Sequence, residues 1–205
     1  MWVVKLGGSL FTSDHLTKWL TLLAQTQALV IVPGGGPFAD QVRQAQQQLQ
    51  FDESTAHRMA LLAMEQFGRM LCGLQPGLTA TANPLQMEDA LKRGETPVWM
   101  PTAMTMAAAD VEHSWDLTSD SLAVWLCNQL GAQNLILVKS LSLDCESLSL
   151  DELTARNIVD NRFGSYLRSS AIQALVMADC EHAHFTQVYA GNSAVATRIV
   201  IGPED

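Results

Sequence analysis

Val30-Ile31-Val32-Pro33-Gly34-Gly35-Gly36-Pro37-Phe38-Ala39 joins a β-branched run, three glycines and the start of a helical pattern. That order predicts a buried strand emptying into a loop and then a helix. Consecutive glycines there let backbone N–H groups form a nest around an oxyanion or phosphate. The spacing matches neither the dinucleotide-binding glycine fingerprint nor the Walker loop. Read alone, the segment is equally a tight turn between packed elements. A second stretch, Val4-Lys5-Leu6-Gly7-Gly8-Ser9, repeats the arrangement upstream. Two facing anion sites would suit a donor phosphate and its acceptor.

Working outward, the chain alternates short apolar runs with longer helical patterns. Strands are expected at Trp2–Leu6, Ala28–Val32, Pro97–Met100, Asn134–Val138, Ile172–Met177 and Thr197–Ile201. Helical spacing marks His15–Gln25, Phe38–Leu49 (with Phe38, Val42, Ala45 and Leu49 on one face) and Ser119–Leu130. It also marks Ser54–Leu74, with start signals at Glu53 and Ser54. Leu141–Asp151 reads as an irregular connection. Continuous apolar strands separated by helices imply an α/β fold, a three-layer αβα sandwich around a mostly parallel sheet. Ligands of such sheets sit beyond the C-terminal ends of the strands, where both glycine loops fall. The whole of residues 1–205 reads as one domain.

Lys5 and Lys139 both end core strands, a costly place for an ammonium unless an anion meets it. A helix start shortly after Gly7-Gly8 would add positive potential. In Trp115-Asp116-Leu117-Thr118-Ser119-Asp120-Ser121, Thr118 or Ser119 can cap a helix. Asp120 is then either a first-turn charge favoured by the helix dipole, or the acceptor that orients the two lysines. Arg58 and Arg69, on the long helix after the second glycine loop, are either solvated or meet an acceptor anion. Trp115 is a candidate for the acceptor pocket wall. The other tryptophans, with Met100, Met104 and Met106, read as packing residues.

Composition narrows the classes. Apolar residues make up 48 % and charged residues 16 % of the 205, as in a globular protein with a sizeable core. A net charge of −9 argues against a nucleic-acid or anionic-membrane surface. Cys72, Cys127, Cys145 and Cys180 are scattered without metal-site spacing and read as reduced thiols. His57, His113, His182 and His184 form no metal motif. With neither a leader pattern nor a membrane-length apolar run, the expected location is cytoplasmic.

Taken in order, VVKLGGSLF, VIVPGGGPFA, DLTSDSLAVWL and LILVKSLSL resemble the successive motifs of the amino-acid kinase family, over most of the chain. The short length and the PGGGPFA, WDLTSDSLA and VDNRF segments resemble most its branch in methanofuran-type cofactor synthesis, which phosphorylates an aminomethyl-furanmethanol phosphate. The resemblance implies an amino-acid kinase-like fold, ATP and Mg2+, a small phosphorylated acceptor and a homodimer or higher homo-oligomer. It implies catalytic roles for Lys5, Asp120 and Lys139. Gly7, Gly8, Ser9, Lys139 and Ser140 would bind the donor phosphates and nucleotide. Gly34, Gly35, Gly36 and Arg58 would bind the acceptor. Magnesium prefers nucleotide oxygens and water, so no protein metal site is expected.

The chain departs from the family pattern at three places. Pro33 stands where many members have His, and the late Gly-Gly-Met-x-x-Lys segment is replaced by Ile158-Val159-Asp160-Asn161-Arg162-Phe163-Gly164, with Arg162 as the cation nearest to hand. After Lys139, Ser140-Leu141-Ser142-Leu143-Asp144 carries no Gly where the nucleotide loop usually has one. Two alternatives therefore stand beside the phosphate kinase: a non-catalytic descendant that binds a nucleotide or phosphorylated ligand, and a carboxylate kinase forming an acyl phosphate.

Overall fold

The structure, a computed structural model, describes residues 1–143 and 145–202. Asp144, in the expected nucleotide loop, lies outside the described residues. Eight strands form one sheet: β1 Trp2–Leu6, β2 Leu29–Pro33, β3 Leu78–Thr81, β4 Thr96–Trp99, β5 Asn134–Lys139, β6 Ser147–Ser149, β7 Gln173–Ala178 and β8 Thr197–Val200. Their order is β3-β4-β2-β1-β5-β7-β8-β6. All the neighbouring pairs are parallel except β7 with β8.

Both faces of the sheet are covered, which is why the central strands read as unbroken apolar runs. Strand alternation sends Val3, Val30, Val32, Leu135 and Leu137 to one core, shared with α6 (Ser119–Leu130). Val4, Leu6, Ile31, Ile136 and Val138 go to the other, shared with Trp19, Leu20 and Leu23 of α1 (Leu16–Ala24). The same period places Lys5 with Val3, and Lys139 with Leu135 and Leu137. Both lysines therefore face α6. Register aligns their strand ends, with Leu6 opposite both Pro33 and Val138.

The expected strands and helices recur within a few residues of their positions, with instructive differences. Leu49 is exposed, because the packed stripe of α2 (Gly36–Leu49) has run out before its last residue. The cap of α3 (Glu53–Leu74) is Asp52, whose carboxylate accepts from the Thr55 N–H, and not Glu53 or Ser54. β3 and α4 (Pro84–Lys92) went unread, although Asn83 and Pro84 carry a cap and first-turn signal. The span 141–151 is not wholly irregular. It holds β6 and the start of α7 (Leu150–Ala155), opened by a reciprocal Ser149–Glu152 capping box. A three-residue edge strand pairing with distant β8 leaves little local signal. Two shorter helices follow, α8 (Phe163–Arg168) and α9 (Phe185–Tyr189), and a short α5 (Thr102–Thr105) precedes the connection to α6. Among the described residues, no helix is long and apolar enough to cross a membrane.

Candidate active site

Lys5, from β1, lies 2.9 Å from Asp120 Oδ1, and Lys139, from β5, donates to Asp120 Oδ2 at 2.6 Å. Asp120 sits in the first turn of α6. Lys5 and Asp120 are both only 4 % exposed. Burial opposes the Asp120 charge, but the Lys139 and Lys5 ammonium groups outweigh it and hold the carboxyl down at about 2. Burial likewise pushes Lys139 down, to about 8, against the pull of Asp120. The Lys5 contact to Oδ1 is an ion pair, and that oxygen has no hydrogen-bond partner by geometry among the described residues. An ammonium carries three donors, so Lys5 keeps donors for an oxyanion.

The two glycine loops meet backbone to backbone. A Cβ on Gly8 would stand 2.3 Å from the Gly36 nitrogen, and one on Gly34 would stand 2.4 Å from the Gly8 nitrogen. Gly36 also has φ +54°, in the left-handed region. The amides divide into two sets. Gly7 donates to the Val138 carbonyl at 2.9 Å and Gly34 to the Leu6 carbonyl at 2.8 Å, so both stitch the loops to the sheet. Gly8, Gly35 and Gly36 have no acceptor for their N–H groups among the described residues. The positive end beside them is that of α2, which starts at Gly36. The helix expected just after Gly7-Gly8 is a single 3-10 turn, Gly8–Thr12.

These amides stand at the head of a cavity of about 450 Å³. Gly36, Ala39, Asp40 and Arg43 line it from one face of α2, and His57, Ala60, Leu61 and Met64 from one face of α3. The segment leading into α6 adds Ser114, Trp115, Thr118 and Ser119 to the wall. Trp115 is held from two sides: its Nε1–H donates to Gln46 Oε1 at 2.6 Å, and the Arg43 guanidinium lies 4.4 Å over its ring. His57 is 5 % exposed and stacks on His113 at 4.8 Å, and its Nε2 has no partner among the described residues. Burial, with His113 beside it, pushes the His57 imidazole below its ordinary value and so toward neutrality.

Lys5, Asp120 and Lys139 thus come together in one bridge, and Gly8, Gly35 and Gly36 come together on the cavity wall with Ser9. Gly7 and Gly34 support them through the backbone. Ser140 and Arg58 are exposed and off this cavity. Arg58 follows His57 by one residue, about 100° around the helix from the lining face, so the guanidinium on the wall is that of Arg43. Arg69 is exposed, and Arg162 turns away to Glu112 at 2.6 Å. Three residues escaped the sequence reading. Arg43 was legible as the residue seven beyond Gly36 on the same helix face. His57 and Asp160 carried no local signal.

Residues 1–142 match the family model for the amino acid kinase family. The chain is 24 % identical over 212 residues to "[5-(aminomethyl)furan-3-yl]methyl phosphate kinase" of Methanocaldococcus jannaschii, covering 98 % of each. Among solved structures it is similar to uridylate kinase from Archaeoglobus fulgidus, with a TM-score of 0.70 and 17 % identity over 98 % of this chain and 99 % of that one. It is similar also to UMP kinase from Ureaplasma parvum, at 0.70 and 13 % over 97 % of each.

Proposed function

The chain belongs to the amino acid kinase family, and from that premise we propose that it transfers the γ-phosphoryl group of ATP to the phosphate of a small phosphate monoester. An acceptor phosphate oxygen attacks the γ-phosphorus in line, the bond to the β-bridging oxygen breaks, and a diphosphate and ADP result. The observation that carries this reading is the Lys5–Asp120–Lys139 bridge at the strand ends, together with the amides of Gly8, Gly35 and Gly36, which have no acceptor among the described residues and line a cavity of about 450 Å³. Phosphoryl transfer needs positioned positive charge more than covalent participation. Lys5 would meet the transferred group, Lys139 the β-phosphate side, and Asp120 would keep both lysines aimed. The free amides would hold the oxyanions.

The residues present that suit the phosphates of ATP–Mg are the Lys5 and Lys139 ammonium groups and the amides of Gly8, Gly35 and Gly36, which have no acceptor among the described residues. Magnesium would be held chiefly by nucleotide oxygens and water, and would supply charge neutralisation there. The name of the archaeal relative supports an aminomethylfuran-type phosphate as acceptor. The wall of Trp115, Phe11, Leu61 and Met64 suits a small planar ring. The proposal extends to a cytoplasmic homo-oligomer. Burial pushes the Cys127 and Cys72 thiols up to about 12 and about 11, as suits inert, reduced cysteines.

Calorimetric titration of ATP–Mg into the protein and its Lys5→Ala variant tests the donor site. Binding that weakens in the variant is expected. No binding by the folded wild type would sink the kinase reading in favour of a ligand-binding descendant. Product trapped by hydroxylamine would instead mark a carboxylate kinase.

A further inference from the structure

Helix α6 presents Asp120, yet its own cap residue does not cap it. Thr118 makes no side-chain cap hydrogen bond to the helix; its hydroxyl instead donates to Asp160 Oδ2 at 2.8 Å. The same oxygen accepts the Thr118 N–H at 2.9 Å and the Ser121 N–H at 3.1 Å. Oδ1 accepts the Ser121 hydroxyl and, at 3.2 Å, the Arg162 N–H. One carboxylate thus takes four donors from the two residues that bracket Ser119 and Asp120. Neighbouring bonds tie the same segments: Arg162 N–H to the Asp116 carbonyl at 3.0 Å, and Asn161 Nδ2–H to Asp116 Oδ1 at 2.7 Å.

We propose that Asp160 is a positioning residue for phosphoryl transfer, capping α6 from outside so that Asp120 is held between Lys5 and Lys139. The proposal rests on the reading of those three residues as a phosphoryl-transfer centre. It also accounts for the late segment of the chain. Residues 158–164 bring no cation to Asp120, since the second one is Lys139 and Arg162 is paired with Glu112. That segment supplies an anion instead. A carboxylate at a helix N-terminus satisfies orphan amides and complements the dipole. The groups facing Lys139 are then Asp120 from α6, Lys5 from β1 and Asp160, the two carboxylates favouring its charged form and Lys5 opposing it.

Asp160→Asn tests the proposal. The amide keeps the shape but turns one acceptor into a donor against the Thr118 and Ser121 donors. With ATP–Mg and [5-(aminomethyl)furan-3-yl]methyl phosphate, kcat is expected to fall about tenfold or more, the scale of a lost outer-shell partner. The alkaline limb of kcat/KM should move to lower pH, because Lys139 loses a favouring charge. An unchanged kcat and limb with only a lowered Tm would overturn the proposal, leaving Asp160 a purely structural cap. Should the variant not fold, Ser121→Ala removes a single donor: a reduced kcat supports the proposal and an unaltered one overturns it. Should the wild type not turn over, the acceptor reading fails separately. The Lys139 titration by 13C NMR of labelled lysines then decides: a lower value in Asp160→Asn supports the proposal, and an identical one overturns it.

Discussion

Lys139 Nζ stands 2.6 Å from Asp120 Oδ2, and this contact joins the end of a central strand to the first turn of the helix above it. Lys5 approaches the other oxygen of the same carboxylate at 2.9 Å. One buried carboxylate thus holds two cations at the ends of neighbouring strands, where a phosphate could meet both.

Asp120→Asn should damage both function and fold. Removing the charge leaves two ammonium groups facing each other in the interior, and breaking a buried pair costs about 3–5 kcal/mol. The expected result is a loss of that order in denaturant unfolding, with kcat reduced more than KM is raised. Wild-type stability and turnover in this variant would remove Asp120 from the centre.

Lys139 sets the expected pH dependence. Its pKa is lowered to about 8 in the folded protein, chiefly by burial. It is charged below that value and loses its proton as pH rises through it. kcat/KM for ATP–Mg, which reports the free enzyme, should therefore fall on the alkaline side near pH 8. Lys139→Arg, whose guanidinium stays charged, should abolish that limb whatever its effect on rate. A limb that persists in the arginine variant would assign it to another group.

Gly8→Ala places a methyl group against the Gly36 backbone, where no flexible side chain can yield. The loops must part, at a cost of about 1–3 kcal/mol for overpacking. Affinity for ATP–Mg should drop along with Tm. Gly94→Ala makes a useful contrast: open space surrounds its Cβ, but φ is +76°, so it should cost stability without touching nucleotide affinity. Equal nucleotide binding by wild type and Gly8→Ala would refute the paired-loop site.

Arg43 and His57 line the cavity, whose lining includes neither Lys5 nor Lys139, and they should govern the acceptor alone. Arg43→Met frees one face of Trp115 and should raise KM for the acceptor while leaving ATP–Mg affinity near wild type. His57→Phe removes an unpartnered buried nitrogen, so Tm should hold or rise while acceptor KM increases. A fall in Tm with unchanged acceptor KM would make His57 a core residue and nothing more.

Much of the centre is legible in the sequence, and the reasons are local. Lys5 and Lys139 end apolar strands, and both glycine loops follow strands directly. Arg58 was misleading because helix position alone decides which of two neighbouring residues faces a cavity, and the lining face of α3 passes through His57 instead. Asp160 left no trace because a carboxylate in a short connection has no periodicity to betray what it touches.

The sequence by itself determined the alternation of strand and helix, and with it the covered parallel sheet. It also determined that Lys5 and Lys139 each end an apolar strand, since strand geometry depends only on neighbours along the chain, while the pairing of β1 with β5 put the two on one face. Tertiary structure alone decided that Asp120 lies between those lysines, that Gly8 abuts Gly36, that Arg43 and not Arg58 lines the cavity, and that Asp160 caps α6. Each of these joins elements far apart in sequence. What sets them is the docking of one element on another, with buried charge and unpaired amides tolerated only where partners meet.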